Sequence, residues 1–304
     1  MNPETSTNLR INNPMEISMT TTKVVHVTDR RLQHPTLPDV WTDYLYVTPD
    51  VAERLLELNT HNRNMRERTR DAYSRDMDAD NWPFNGDTLC LGRDGDVLDA
   101  ILLDGQHRLN AIIASGVSMW MLVVYGLEVS TQETMDNNIL RQVSDHLRIN
   151  GVPNGNQVAA LARKVMLWEN GFYALKSSTK WTTTELLDLV DDDERIVASA
   201  AWSASNARHI SAPGSIVSLA HWLLHQKEAE QADWFMERLV DGVMLEEDHP
   251  VRRLRIRLDK ENRISETEAL ALIISAWNAF RAGEKRKKLQ LPNPLTNDTM
   301  PKAA

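Results

Sequence analysis

The sequence contains one cysteine, fewer basic than acidic residues, and no long apolar run. Cys90 alone cannot build a disulfide framework or a zinc site made only of cysteines. No stretch approaches the roughly 18 consecutive apolar residues that indicate a membrane span. The polar residues 1–20 also lack the apolar region of a secretory signal. We therefore expect a cytoplasmic protein without a membrane partner.

The deficit of basic residues restricts the possible contacts with nucleic acid. The chain has 34 Lys and Arg residues against 43 Asp and Glu residues, which gives a net charge of -9. DNA binding would therefore require a local basic patch. The densest candidate contains Arg253, Arg255 and Arg257, which would share one face of an extended segment and could contact a nucleic-acid backbone. In a helix they would spread around the axis, and pairing with nearby acids explains them equally well.

The 304 residues, of which 42% are apolar, predict about two globular domains. Residues 1–40 are polar and predict a weakly structured lead-in with one strand at Lys23–Val27. Residues 41–145 alternate between strand and helix patterns, whereas residues 146–283 show helix patterns only. Residues 284–304 combine a basic cluster with prolines and predict a flexible, solvated tail. The predicted fold class is α+β, a mixed α/β domain followed by an all-α domain.

Local signals position several elements of the mixed domain. Thr48 followed by Pro49 is typical of a helix start. Thr88–Gly92 and Val97–Leu103 predict strands, and the apolar run at the end of the second indicates an interior strand buried on both faces. Ser130 to Glu133 has the spacing of a capping box and predicts a further helix.

The second of these strands leads directly into Asp104-Gly105-Gln106-His107-Arg108 and a helical pattern. Such a junction suits an anion, since glycine lets the backbone approach a ligand and a helix N-terminus presents N–H groups. Arg108 adds a planar fork for phosphate oxygens, and Asp104 could orient the arginine, hold Mg²⁺ or accept a proton. The alternative is a turn whose charged residues only cap and pair with one another.

The stretch LLDGQHRLNAI resembles the DGQHR form of the ParB/sulfiredoxin superfamily, in particular the ParB-like proteins of phages and the DndB-like regulators of DNA phosphorothioation. The resemblance covers about residues 43–150. It implies a ParB/sulfiredoxin-like domain that binds an NTP, either ATP or CTP, with Mg²⁺. The phosphates would be held by Gly105, Gln106, His107 and Arg108. The implied setting is phage or mobile-element DNA transactions or regulation of DNA modification, in a host cytoplasm, with DNA or a second copy of the chain as further partners.

The resemblance also implies roles outside the turn. Asn62, Arg63 and Arg66 begin a predicted helix that lies near the nucleotide in ParB-like folds, so they are candidate phosphate ligands. Arg141 could close over the site at the domain junction, although an interdomain salt bridge is an alternative. No cysteine lies in the stretch directly before His107, and Cys90 falls in a predicted strand, which disfavours sulfinic-acid reduction. The acidic helical half shows no recognition helix, which disfavours a centromere clamp.

An enzymatic interpretation stays open beside simple binding. In a phosphotransferase or NTP hydrolase, Asp104 would act as the base while His107 and Arg108 stabilise the transferring phosphoryl group. A nuclease would need a cluster of metal-binding carboxylates, which the motif lacks. His221 and His225 have the four-residue spacing of a helical metal site, but no glutamate follows the first histidine, and we expect two incidental histidines of a buried helix.

Overall fold

A computed structural model describes residues 32–60, 62, 64–94, 97–135, 141–260 and 264–304 of the chain. The predicted strand at Lys23–Val27 and the predicted site residue Arg63 lie outside these residues. The strands are β1 Leu32–Gln33, β2 Trp41–Val47, β3 Thr88–Asp94, β4 Val97–Asp104 and β5 Met119–Glu128. The α-helices are α1 Pro49–Glu57, α2 Glu67–Asp78, α3 Gln106–Ser115, α4 Val143–Ile149, α5 Gly155–Glu169, α6 Thr183–Asp192, α7 Glu194–Asn206, α8 Gly214–His225, α9 Ala229–Asp241, α10 Pro250–Lys260 and α11 Glu266–Arg281.

The fold class is α+β, as predicted, with every described strand preceding the helical half. The five strands form one sheet in the order β1-β2-β5-β3-β4. β5 pairs antiparallel with β2, from Trp41 opposite Tyr125 to Val47 opposite Met119, and parallel with β3. Helices α1, α2 and α3 cover one face of this sheet, where a core forms around residues such as Leu89. β5 therefore holds the two parts of the sheet together.

Helix α1 begins as the sequence predicts. The Thr48 hydroxyl accepts a hydrogen bond from the Val51 N–H at 3.3 Å, and Pro49 occupies the first helical position. A helix does form at the capping-box sequence Ser130–Glu133, but it is the short 3-10 helix Val129–Thr134 and not an α-helix. There the Thr131 and Thr134 hydroxyls bond carbonyls three residues back, which favours a tight turn over an α-helix.

Strand β4 is buried as predicted, but its predicted interior position is wrong. Leu102 is 0% exposed and Leu103 is 2% exposed, and the two contribute to cores on opposite faces of the sheet. β4 nevertheless forms an edge of the sheet. Side chains and the end of α1 cover this edge: the Leu102 N–H donates to the Leu58 carbonyl at 2.9 Å. A covered edge strand needs the same apolar run as an interior strand.

The helical half is organised around α8, which contacts α5, α7, α9 and α11. Every residue from Ile216 to Leu224 in this helix is buried. Helix α4 begins at Val143, slightly before the predicted start of the helical half at residue 146. Among the described residues, no helix combines the length and the apolar character that a bilayer crossing requires.

Most of the C-terminal segment 284–304 is exposed, as predicted, but its end is attached to the helical half and is not a free tail. Met300 and Ala303 are buried against the helical core. The Trp277 indole N–H donates to the Ala304 carbonyl at 3.1 Å, and the Asn278 amide donates to the Lys302 carbonyl at 2.8 Å. The composition is that of a loop, but a few apolar side chains and these hydrogen bonds attach it to α11.

Helix α2 connects the sheet half to the helical half through polar contacts. The Arg75 guanidinium donates to the Glu185 carboxylate at 2.7 Å and to the Lys180 carbonyl at 2.7 Å. The Thr182 hydroxyl donates to the buried Asp76 carboxylate at 2.8 Å. Burial raises the pKa of Asp76, and the Thr182 hydrogen bond opposes that rise. These contacts hold the C-terminal part of α2 against the start of α6.

The ion pair between Arg75 and Glu185 predicts a pH-dependent contribution to stability. Burial alone would raise the pKa of Glu185, but hydrogen bonds from Arg75 and the Thr182 backbone hold it below its ordinary 4.5. Glu185→Gln keeps the capping hydrogen bond but loses the charge. At neutral pH we expect it to lower the free energy of unfolding by about 0.5–1 kcal/mol, since the pair is partly exposed.

The difference in unfolding free energy between wild type and Glu185→Gln is fully present above pH 4.5. It should disappear as the pH falls below this value, because the wild-type Glu185 carboxylate then takes up a proton. Urea unfolding at neutral and acidic pH measures the effect. Glu194→Gln, which changes another first-turn glutamate, is the control. A difference between wild type and Glu185→Gln that does not change with pH would contradict this account.

Candidate functional site

The predicted motif lies where β4 ends and α3 begins, as the sequence indicates. Gly105 joins the two with a φ of 113°, a conformation that residues with a side chain rarely adopt. A Cβ atom at this position would overlap the Leu89 side chain. Glycine is therefore required here both for the backbone conformation and for the close approach of α3 to β3.

Within this turn, Arg108 and Asp104 bind each other. The Arg108 guanidinium donates to Asp104 Oδ2 at 2.8 Å and to the Thr88 carbonyl at 2.7 Å, and it lies 3.5 Å from the Asp87 carboxylate. The Gly105 N–H donates to Asp104 Oδ1 at 2.7 Å. Arg108 is only 8% exposed. The arrangement matches the pairing alternative for Arg108, and it directs the Asp104 carboxylate to the N-terminus of α3.

His107 joins the turn to α2. Its Nε2 accepts a hydrogen bond from the Arg66 N–H at 3.1 Å, and Arg66 is the residue that precedes the first turn of α2. The imidazole thus takes the place of a side-chain cap, which Arg66 itself does not supply. The Arg66 side chain is exposed beside the turn. The structure therefore places Arg66 next to His107.

Neutral amide side chains surround the end of β4. Asn62 donates to the Leu102 carbonyl at 2.6 Å and to the Asn59 side chain at 2.7 Å. Asn59 donates to Gln106 at 3.2 Å, and Gln132 donates to Asn62 and to the Leu103 carbonyl at 3.1 and 3.0 Å. Asn62 and Gln106 are thus bound within the protein. Sequence reasoning missed Asn59 and Gln132, whose only signal is a side-chain amide in a loop or short helix.

A pocket of about 250 Å³ opens at the same end of the sheet. Its lining comprises Tyr46, Trp82, Pro83, Phe84, Asn85, Asp87, Ser118, Met119, Trp120 and Met121. Phe84 is 56% exposed and Trp120 is 40% exposed, so aromatic faces are accessible there. Asp87 belongs both to the pocket and to the surroundings of Arg108. The pocket and the turn are therefore adjacent, which the sequence did not indicate.

The remaining predicted site residues lie elsewhere or point to other partners. Arg141 is exposed just before α4. The segment with Arg253, Arg255 and Arg257 is helical, so the three side chains do not share a face. Arg253 pairs with Glu247 at 3.2 Å, and Arg255 donates to the carbonyls that end α9. Nucleic-acid binding by this segment stays a prediction.

The comparisons with known proteins do not assign a family. No family model, no curated protein and no solved structure matches the chain. The resemblance to the ParB/sulfiredoxin superfamily therefore depends on the motif alone. Function has to be inferred from the geometry of the turn and its pocket.

The pairing of Arg108 predicts a loss of stability on its removal. Arg108→Ala leaves the Asp104 carboxylate and the Thr88 carbonyl without their partner. We expect a decrease in the free energy of unfolding of about 2–3 kcal/mol, at the low end for a broken buried pair because Asp104 is partly exposed. Arg108→Lys should recover part of the loss, because it keeps the charge but not the fork.

The double variant Arg108→Ala with Asp104→Asn tests the pairing directly. Its loss of unfolding free energy should be smaller than the sum of the losses in the two single variants, with a coupling energy of at least about 0.5 kcal/mol. Denaturant unfolding of the four proteins gives this coupling. Strictly additive losses would show that the two side chains do not depend on each other.

Cys90 should react slowly. It is 8% exposed in β3, and burial raises the pKa of its thiol, an effect that a contact with the Thr88 hydroxyl only partly offsets. Few thiolates then form at neutral pH, and little surface is accessible. Mass spectrometry after treatment with iodoacetamide should find the native chain largely unmodified and the urea-unfolded chain alkylated. Equal rates in the two states would contradict this prediction.

Proposed function

We propose that the protein binds a nucleoside triphosphate at the end of the sheet where β4 meets α3. One observation carries the proposal: a phosphate-compatible turn and an aromatic pocket lie next to each other and share Asp87. A nucleotide needs both kinds of surface, one for its phosphates and one for its base. The motif's resemblance to the ParB/sulfiredoxin superfamily points to the same ligand class.

The phosphates would bind at the start of α3. The N-terminus of a helix attracts anions through its N–H groups and its dipole. The exposed Arg66 side chain beside His107 supplies a positive charge that pairing within the turn does not use. Asp104 is 37% exposed, and its carboxylate retains lone pairs for Mg²⁺ beyond its two hydrogen bonds. Arg108 would position Asp104, since its guanidinium donates a hydrogen bond to Asp104 Oδ2.

The base would stack in the adjoining pocket. Phe84, Tyr46 and Trp120 offer aromatic faces, and such stacking accepts any base. Asp87 and Asn85 supply polar groups for sugar hydroxyls or for the base edge. ATP and CTP both fit these requirements, so the nucleotide preference depends on contacts with the base edge.

The hydrogen bonds of Asp104 and His107, the two candidate catalytic groups, favour nucleotide binding without phosphoryl transfer. Both oxygens of Asp104 accept hydrogen bonds, and Nε2 of His107 accepts one from the Arg66 backbone. Nε2 of His107 is therefore already engaged, and Asp104 would use its remaining lone pairs for Mg²⁺ and not for a substrate proton. We therefore propose a nucleotide-dependent switch, with hydrolysis or transfer as the alternative outcome of the experiment.

Helix α2 would transmit the bound state. His107 accepts a hydrogen bond at the N-terminus of α2, and Arg75 and Asp76 in its C-terminal part form hydrogen bonds with residues at the start of α6. A phosphate that engages His107 would release the start of α2 and thereby bias the contact between the two halves. Regulation of DNA transactions in a phage or mobile element, with DNA or a second copy of the chain as partner, is the setting that the resemblance implies.

A thermal-shift panel tests the proposal on the full chain. ATP, CTP, GTP, their diphosphates and tripolyphosphate are compared with and without Mg²⁺. A ligand at about 100 times its Kd adds about 2.7 kcal/mol of stability, which the assay detects easily. Stabilisation by at least one triphosphate is expected, together with no release of phosphate. If no nucleotide stabilises the chain under either condition, the proposal is wrong.

Two variants separate the phosphate contacts from the base contacts. Arg66→Gln keeps the backbone N–H that binds His107. It should weaken the binding of nucleotide and of tripolyphosphate at least about tenfold, a loss of about 1.4 kcal/mol in binding free energy. Arg68→Gln, also exposed on α2, is the matched control and should bind normally. Phe84→Ala should weaken the binding of the nucleotide but leave the binding of tripolyphosphate unchanged. Equal binding by Arg66→Gln and Arg68→Gln would exclude the phosphate site.

A further inference from the structure

Asp87 lies at the boundary between the aromatic pocket and the turn at residues 104–108. Its side chain lines the pocket, and its Oδ2 atom lies 3.5 Å from Nη1 of Arg108. It is the only charged residue in the lining of this pocket. In a nucleotide the sugar occupies the corresponding place, between the base and the phosphates. The order of the surfaces along the protein therefore matches the order of the parts along the ligand.

A tight turn fixes Asp87 in this position. The side-chain oxygen of Asn85 accepts a hydrogen bond from the Asp87 N–H at 2.9 Å, and Gly86 between them has a φ of 80°. Asparagine and glycine are the residues that such turns favour. The Asn85 amide nitrogen also lies 3.4 Å from Asp87 Oδ2. Asn85 thus orients the Asp87 carboxylate before any ligand arrives, which lowers the entropic cost of binding.

The Asp87 carboxylate keeps capacity to accept hydrogen bonds from a ligand. Its contacts with Arg108 and Asn85 both involve Oδ2, and no residue in the described part of the chain donates to Oδ1. The side chain is 57% exposed, so a molecule in the pocket can reach it. An ionised carboxylate only accepts hydrogen bonds. It therefore suits a part of the ligand that donates them.

The ribose hydroxyls are the donors that a nucleotide offers next to its phosphates. Phosphate oxygens are acceptors with negative charge, so Asp87 repels them and favours their binding further along the turn. Vicinal hydroxyls can donate to the two oxygens of one carboxylate, and an acidic residue holds the ribose in the same way in dinucleotide-binding folds. Arg108 donates to Asp104 with Nη2 and approaches Asp87 with Nη1. One guanidinium thereby sets the spacing between the two carboxylates.

We infer that Asp87 accepts hydrogen bonds from the ribose hydroxyls, an inference that rests on the proposed nucleotide function. The site then selects ribonucleotides over 2′-deoxyribonucleotides. A 2′-deoxyribose lacks one of the two donors, and hydrogen bonds to a charged group are stronger than those between neutral groups. Asp87 is thus a residue that determines the sugar specificity of the site, whereas the aromatic pocket accepts the base.

The first experiment compares ribonucleotides with their 2′-deoxy counterparts on the full chain. The affinities for ATP, CTP, GTP and the three corresponding 2′-deoxyribonucleoside triphosphates are measured by calorimetry at one Mg²⁺ concentration. In each pair that binds, we expect the ribonucleotide to bind at least about tenfold more tightly. Equal affinities within the pairs would overturn the inference about the sugar and leave nucleotide binding intact. If no triphosphate binds, both the nucleotide function and the sugar selection are refuted.

Matched variants assign the sugar selection to Asp87. Asp87→Asn removes the charge and one acceptor oxygen from an exposed side chain, so the fold should persist. The ratio of ribonucleotide to 2′-deoxyribonucleotide affinity should fall from at least about tenfold to about twofold or less. Asp39→Asn is the control and should keep the wild-type ratio. Asp39 is 52% exposed and also pairs with an arginine, Arg93 at 2.8 Å, but it lies at the opposite end of β2 from the pocket.

The affinity ratio also distinguishes a sugar contact from the other roles that Asp87 could have. A purely structural role would lower both affinities together and leave the ratio unchanged. A contact with the base edge would change the preference among ATP, CTP and GTP instead of the ratio. Either result for Asp87→Asn would refute the assignment of the ribose to Asp87.

Discussion

The structure of the sheet half depends on covering the outer edge of β4. A buried edge strand carries backbone groups that must find hydrogen-bond partners away from water, at a cost of about 1–3 kcal/mol for each one left unpaired. The chain meets this requirement with the Leu58 carbonyl and with the side chains of Asn62 and Gln132. These contacts bring the end of α1, the lead-in to α2 and the segment after β5 to one place. The junction that starts α3 is built there.

Sequence reasoning succeeded wherever a local rule determines the structure. The cap at Thr48, the glycine between β4 and α3, and the division into a mixed half and a helical half all follow from signals a few residues long. Burial of Leu102 and Leu103 also follows from the apolar run. In each of these cases the residues that determine the backbone conformation or the burial lie within a few positions of the residues affected.

Features that depend on distant partners could not be predicted. The apolar pattern of β4 does not reveal that amide side chains rather than another strand complete its outer edge. Nothing near Arg108 in the sequence distinguishes a phosphate ligand from a partner of Asp104, because that choice depends on where Thr88 lies. The stacking of His221 between Trp202 and His225 arises only when α7 packs beside α8. Each of these depends on the tertiary arrangement.

The position of β5 has a consequence for the order in which the chain folds. Among the described strands β5 is the last to be synthesised, yet it pairs with both β2 and β3, so that Trp41 must find Tyr125. Until Glu128 has been made, α1, α2 and α3 have only part of the sheet to pack against. Long-range pairings of this kind slow folding, whereas helices that contact their neighbours in sequence assemble quickly. Completion of the sheet half therefore waits for β5, and a ribosome pausing before residue 128 would leave its apolar faces exposed to chaperones.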